Sequence, residues 1–278
     1  MELSARKNEQ NLNSDFPFSS LRILPYQIFN GAFNMALDYA LAQSARETTV
    51  PILRFYGWDP FCLSLGYHQD QNLVDLSCVH SRGYQAVRRP TGGSAIFHSE
   101  ELTYALIVPR TNLNHHEIYR IFHELLASAL NQLGYEVELN YTDDRENYLK
   151  ENRKRFACFN RPAFAEIQFK QKKVVGSAQK LYKNALLQHG SVLIGDKQNE
   201  IIDFLNLDSR AKQNYYERLL NSSIPLKAVN PRFITPQQIA EALLQQLERS
   251  LKINLFYQEL SQTEKNNAQK FVDQFKIQ

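Results

Sequence analysis

Four short stretches carry the residue types that group-transfer chemistry needs. Cys158 lies in RFACFNRPAF, directly after KENRKR, where Lys150, Arg153, Lys154 and Arg155 set up a positive local field. Such a field lowers a thiol pKa from its free value of about 8.5 and favours the nucleophilic thiolate. On position alone a buried structural thiol fits equally well, and both readings stay open. Cys62, inside FCLSL, and Cys78, beside Val79, read as packing residues. Three cysteines without metal-ligand spacing suggest neither a disulfide framework nor a zinc site.

The second stretch is RRPTGGSAIFH, Arg88 to His98. Gly92 and Gly93, between two apolar runs, permit positive φ and let a ligand approach the backbone with no Cβ in the way. The alternative is a plain hairpin turn. Arg88 and Arg89 could pair with a phosphate or carboxylate, Thr91 adds a hydroxyl, and the turn's N–H groups could form an anion nest. Strand alternation sends adjacent side chains to opposite faces, so Arg89 alone is taken as the site arginine. His98 is either a half-buried strand residue or part of the site.

KVVGSAQKLY sets Lys173 at a strand start, where a lysine is usually solvated, and interrupts the strand with Gly176 before Ser177 and Ala178. ALLQHGSVLI repeats the theme with His189 and Gly190 amid apolar neighbours. Both glycines again allow close backbone approach.

These stretches need a frame. LRILPY reads as a strand and NMALDYALAQSA as an amphipathic helix; PILRFYGW and FCLSLGYH read as strands around Asp59-Pro60. YQAVRR and SAIFH flank the Gly-Gly turn, and LTYALIVP follows as a strand. HHEIYRIFHELLASALNQLGY is a helix with Ile118, Ile121, Phe122, Leu125 and Leu126 on one face and Gly134 as C-cap. YEVELN, AEIQFK, KVVGSAQKLY and ALLQHGSVLI are strands, residues 141–155 a charged loop, and the remainder mostly helical. Strands with an early and a central helix, followed by helices, predict an α+β domain with a largely antiparallel sheet flanked by helices. Residues 1–18 are expected to be a flexible tail, and residues 19–278 a single domain whose C-terminal part is helical.

Composition narrows the class. With 43% hydrophobic residues in 278, the chain can bury a substantial core. A formal charge of +3 and the absence of finger, zipper or RNP-like patterns argue against a nucleic-acid partner. No apolar run approaches the roughly 20 residues of a membrane span, and the N-terminus lacks the apolar centre of a signal peptide, so no membrane partner and a cytoplasmic location are expected.

Taken together, NMALD, LRFYGW, LSLGYHQ, RRPTGG with AIFH and ELTYAL, ACF, KVVGSAQ and LQHGSVL closely resemble the lipoate/octanoate transferase and ligase family, within it the cysteine-dependent octanoyltransferases of lipoate assembly. The resemblance runs from about residue 21 to about residue 200. It implies a biotin/lipoyl ligase-like catalytic domain in which the Gly-Gly turn is a wall for the acyl chain. By the same resemblance Cys158 is the nucleophile and Lys173 its partner. Arg89, Thr91, Gly92, Gly93, Ser94, Ala95, Ile96, His98, Gly176, Ser177, Ala178, His189 and Gly190 are then the substrate contacts. The chain departs from the pattern at Ser94, where arginine or glycine is common, at Asn160, where aspartate is, and at Tyr39, where glutamate is.

The implied reaction moves an octanoyl group from octanoyl-acyl carrier protein to Cys158 and on to a lysine of a lipoyl domain or of the glycine cleavage H protein. A thioester is already activated, so this route calls for no cofactor. Two alternatives stand beside it: a ligase that adenylates free lipoate with ATP and Mg, and a non-catalytic relative that binds acyl groups or lipoyl domains. Because acyl carrier proteins are acidic, KENRKR is expected to steer the donor as well as depress the Cys158 pKa.

Overall fold

The computed structural model describes residues 16, 18–45, 49–110, 114–141 and 165–277. Its centre is a six-stranded sheet of β1 (Ser20–Phe29), β2 (Ile52–Trp58), β6 (Glu101–Pro109), β10 (Val175–Leu181), β11 (Ala185–Leu193) and β12 (Asn254–Tyr257), in the order β10-β11-β6-β2-β1-β12. The β10, β11, β6 and β2 neighbours are antiparallel, and β1 is parallel to both β2 and β12. A second sheet orders β4 (Gln85–Arg88), β3 (Cys62–Leu65) and β5 (Ile96–His98), and a third orders β7 (Glu138–Asn140), β8 (Glu166–Phe169) and β9 (Lys172–Lys173).

β2, β6 and β11 are buried along their whole length, which is why they read as continuous apolar runs rather than alternating ones. Alternate residues serve two cores. Leu53, Phe55, Leu102, Tyr104 and Leu106 face a helix at His115–Gln132 (α3) and one at Pro236–Leu251 (α6). Ile52, Tyr56, Trp58, Ala105 and Leu187 face the helix at Gly31–Ser44 (α1) and, beyond it, short C-terminal helices at Gln262–Gln269 and Val272–Phe275. Asn30 caps α1 through the Phe33 N–H, and Thr235 with Gln238 forms a capping box ahead of Pro236 in α6. Between them lie α2 (Leu76–Ser81), α4 (Ser209–Ser222) and α5 (Leu226–Val229).

Several expectations need correction. β4 and β5 do not form a hairpin across Gly92-Gly93: each pairs with β3, β4 in parallel and β5 antiparallel. The seven residues between Arg88 and Ile96 carry the chain past β3, which lies between the two strands. KVVGSAQKLY is two strands, because Lys172–Lys173 pairs with β8 and Val175–Leu181 with β11. Within the mostly helical C-terminal part, Asn254–Tyr257 adds a parallel edge strand to β1. The tail boundary at residue 18 is also late, since Phe16 is buried in the main core and stacks edge-on against Phe18 at 5.4 Å. Residues 1–15 lie outside the described residues, as does the expected loop beyond Tyr141. Among the described residues no helix is long and apolar enough to cross a membrane.

Candidate active site

The two arginines before the Gly-Gly turn diverge as alternation predicts. Arg88 donates to the carbonyls of Gly66 and Gln69, tying down the loop after β3. Arg89 is buried, and its terminal nitrogens donate to Ser64 O, Gly92 O at 2.8 Å and Ser94 O at 2.7 Å. These three contacts are with backbone carbonyls, and Ser64 Oγ lies 3.4 Å from the same guanidinium. Arg89 holds the turn in shape, and Ser94 contributes its carbonyl from a fully buried position. Gly93 sits at φ 95°, and a Cβ on Gly66 would come within 1.9 Å of Gly93 O, so these two glycines let the loops close on each other.

Behind the turn runs a buried polar chain. Thr91 Oγ1 lies 2.6 Å from His189 Nε2, and His189 Nδ1 lies 3.2 Å from Asp38 Oδ2. Asp38 also accepts from Arg54 at 2.7 Å and from the Tyr56 hydroxyl at 2.9 Å, while Arg54 reaches Asn34 Oδ1 at 2.8 Å. Burial pushes His189 below the usual imidazole pKa, against the opposing pull of Asp38. The neutral ring donates from Nδ1 to the carboxylate and accepts at Nε2 from Thr91.

A second cluster surrounds His98. Its Nε2 lies 2.8 Å from Ser64 Oγ and its Nδ1 2.7 Å from Glu101 Oε1, which also accepts from Thr103 and Ser191. The Trp58 indole stacks on the His98 ring at 4.0 Å and 11°, and its N–H donates to Thr103 Oγ1 at 2.7 Å.

On the other face of the sheet, Ser177 Oγ meets Tyr104 OH at 2.6 Å and His123 Nε2 at 2.9 Å, and His123 Nδ1 meets Ala165 O at 2.6 Å. Burial takes the His123 pKa down to about 4, with the Lys173 charge adding to the fall and the Ala165 carbonyl opposing it. Lys173 is not solvated: it is 6% exposed and paired with Glu166 at 2.5 Å, whose other oxygen accepts from Gln168.

A narrow pocket of about 20 Å³ lies beside the sheet, lined by Met35, Tyr56, Trp58, Arg89, Ile96, His98, Thr103, Gly176, Ser177, Ala178, His189, Gly190 and Ser191. Eight of the expected contacts meet there: Arg89, Ile96, His98, Gly176, Ser177, Ala178, His189 and Gly190. Thr91 joins through His189, whereas Gly92, Gly93, Ser94 and Ala95 form the adjoining loop. Lys173 stands apart from this lining, on the short β9 strand. Cys158 and KENRKR lie outside the described residues. Cys62 is fully buried and its thiol is pushed far up by desolvation, a packing residue as expected. Among the described residues no group of three His, Cys, Asp or Glu side chains is placed to hold a metal ion.

Residues 30–248 match the family model for the lipoyl protein ligase A/B catalytic domain. The chain belongs to that family. Within the lipoyl protein ligase A/B family it is 34% identical to the octanoyltransferase LipM of Bacillus subtilis over 84% of this chain and 87% of the relative. It is 31% identical to LipM of Staphylococcus aureus over 88% and 91%. Among solved structures, a bipartite lipoate protein ligase from Thermoplasma acidophilum aligns with a TM-score of 0.73 at 20% identity, over 92% of both chains. Lipoate-protein ligase A bound with ATP aligns at 0.72 and 21% identity, over 92% of this chain and 95% of that one. These two likenesses establish the ligase-like fold.

Sequence reading missed the supports of this candidate site: Asp38, Arg54, Trp58, Glu101, Tyr104, His123 and Glu166. For Asp38 and Arg54 a signal was present. Asn34 and Asp38 are one helical turn apart on the apolar side of α1, and Arg54 interrupts an apolar strand; a polar residue in such a place needs a buried partner.

Proposed function

We propose that the protein is an octanoyltransferase of lipoate assembly, acting through an octanoyl-S-Cys158 intermediate. The observation that carries this reading is the similarity to LipM octanoyltransferases across most of both chains, with the RRPTGG, KVVGSAQ and LQHGSVL motifs converging on one largely apolar cavity. The donor is octanoyl-acyl carrier protein, and the acceptor is a lysine of a lipoyl domain or of the glycine cleavage H protein.

In the first step the Cys158 thiolate attacks the donor carbonyl, the carrier's thiol leaves and an octanoyl thioester forms on the enzyme. In the second the acceptor's ε-amine attacks, Cys158 leaves as thiolate and the amide forms. Each step passes through a tetrahedral oxyanion, whose stabilisation calls for backbone N–H donors beside the thioester carbonyl. The Lys173 ammonium supplies positive charge for the thiolate and the oxyanion; giving a proton to the departing carrier thiolate leaves it a neutral amine that takes the proton lost by the attacking ε-amine. Glu166 orients it. The chain route from thioester to thioester to amide runs downhill without ATP.

The test is transfer itself. Incubation with octanoyl-acyl carrier protein and an unmodified lipoyl domain, without ATP, gives octanoylated domain by mass spectrometry. Modification that appears only with free acid, ATP and Mg overturns the reading in favour of a ligase; binding of donor and domain without turnover points to a non-catalytic relative.

A further inference from the structure

Three segments far apart in sequence meet at the tip of the β10–β11 hairpin. Lys180 is on β10, Lys183 is in the turn after it, and the Arg110 guanidinium donates to the Lys183 carbonyl at 3.3 Å. The Arg110 N–H donates to Asn184 O at 2.8 Å and Gln179 Nε2 to His115 O at 2.9 Å, so the end of β6 and the start of α3 lie alongside the hairpin. On its other side Lys180 Nζ sits 4.5 Å from the centroid of the Tyr67 ring. Tyr67 follows Gly66 in the loop after β3, and its N–H donates to Thr91 O at 2.9 Å.

The charge of this tip is one-sided. Residues 66–69, 108–116 and 179–186 contain Lys180, Lys183, Arg110 and three histidines, and no aspartate or glutamate. Of the carboxylates just beyond them, Glu117 is taken up by Arg120. Among the described residues no carboxylate pairs with Lys180, Lys183 or Arg110. Apolar surface accompanies the cations: Tyr67 is 50% exposed and Leu181 52%. Cations around an aromatic and an aliphatic side chain suit a protein partner whose own surface is acidic, because complementary charge speeds encounter and fixes orientation.

The tip also borders the pocket. Side chains alternate along a strand, so Lys180 shares the face of β10 that carries Gly176 and Ala178, both of which line the pocket. Two residues of strand set Lys180 about 7 Å beyond Ala178. We infer that this tip, with Lys180, Lys183 and Arg110 as its cations and Tyr67 and Leu181 as its apolar contacts, is the docking surface for the acidic acyl carrier protein. The inference rests on the acyl transfer proposed above. A carrier seated on the tip has its thioester beside the pocket lining, and the charges that attract it lie outside the reacting centre.

The experiment compares two donors in single-turnover loading of the full-length protein, read by intact mass. One is octanoyl-acyl carrier protein; the other is octanoyl-pantetheine, which carries the same thioester without a protein surface. Arg110→Glu/Lys183→Glu reverses two exposed charges and leaves KENRKR intact. At low ionic strength it slows loading from the carrier by at least about 10-fold, and salt narrows the gap. Loading from octanoyl-pantetheine stays at the wild-type rate, and Lys183→Arg, which keeps the charge, matches wild type with both donors. Unchanged loading from the carrier overturns the inference, and so does equal slowing with both donors, which puts the effect in the reacting centre. A variant impaired only in transfer to a lipoyl domain gives the tip to the acceptor and overturns it too. Calorimetric binding of the unacylated carrier separates the inference from the reading beneath it. Wild-type binding that the double variant loses, without loading from either donor, leaves the docking surface standing and overturns the transferase reading; neither binding nor loading overturns both.

Discussion

His189 Nδ1 faces Asp38 Oδ2 at 3.2 Å, and through this contact the α1 helix fixes the ring that supports Thr91. The same carboxylate neutralises Arg54, buried in the middle of β2. One residue thus serves the frame and the site together.

Replacing Asp38 with Asn removes the charge partner of Arg54 and leaves a guanidinium without counter-charge in the core. Breaking one side of such a pair costs about 3–5 kcal/mol. Urea unfolding reads the loss. The double variant Asp38→Asn/Arg54→Met recovers much of it, because no unpaired charge remains.

Gly190 is the close-approach point between β11 and β10. A Cβ there would lie 2.4 Å from Ser177 Oγ and 2.7 Å from Gly176 O, so Gly190→Ala pushes the strand pair apart. Overpacking of this kind costs about 1–3 kcal/mol. Because the displaced strand lines the cavity, octanoyl transfer falls by at least 10-fold in a stopped assay even where the variant remains folded at assay temperature.

Arg89→Lys tests the turn. A lysine has three donors on one atom and cannot span Ser64 O, Gly92 O and Ser94 O as the guanidinium fork does. The turn loosens: amide exchange at residues 91–95 speeds up, and KM for the donor rises more than kcat falls.

His123 makes stability depend on acidity. The unfolded chain protonates this histidine below about pH 6.5, whereas the folded chain does so only near pH 4. The unfolded state therefore binds more protons between those values, and stability falls as pH drops through them. From pH 7 to pH 5 the loss attributable to His123 is about 2 kcal/mol. His123→Gln, which does not titrate, loses correspondingly less over that interval in paired urea titrations.

Charge reversal at Arg153 and Lys154 tests the steering expected of KENRKR. The double variant slows loading from the acidic carrier at low ionic strength, and salt narrows the gap. Loading that is unchanged and insensitive to salt contradicts the idea.

The elements with one periodicity and a clear stop were legible in the sequence. α3 carries its apolar stripe and ends at Gly134, with φ 86°, and β2, β6 and β11 were found as strands. Which strand pairs with which was not. Nothing local to YQAVRR or SAIFH says that FCLSL lies between them, because the pairing is decided by long-range burial. The edge strand Asn254–Tyr257 escaped for a related reason: it is only four residues long and follows closely on α6, so its Leu255-Phe256-Tyr257 run reads on from the helix.

The site was legible as motifs and illegible as a network. Glycines mark close approach directly, and Gly176 and Gly190 both line the pocket. A lysine at a strand start is usually solvated, and nothing local to Lys173 says that Glu166, seven positions earlier and across a turn, pairs with it in the interior. Tyr39, a departure from the family pattern, packs edge-on against Tyr182, Phe271 and Phe275, and so belongs to the contact between α1 and the C-terminal helices.

The central claim is the covalent intermediate, and intact-protein mass spectrometry reads it most directly. Mixed with octanoyl-acyl carrier protein in the absence of ATP, the protein gains a single octanoyl group that hydroxylamine removes, and Cys158→Ser gains none. An unmodified wild-type protein under these conditions, or an adduct that persists in Cys158→Ser, contradicts the account.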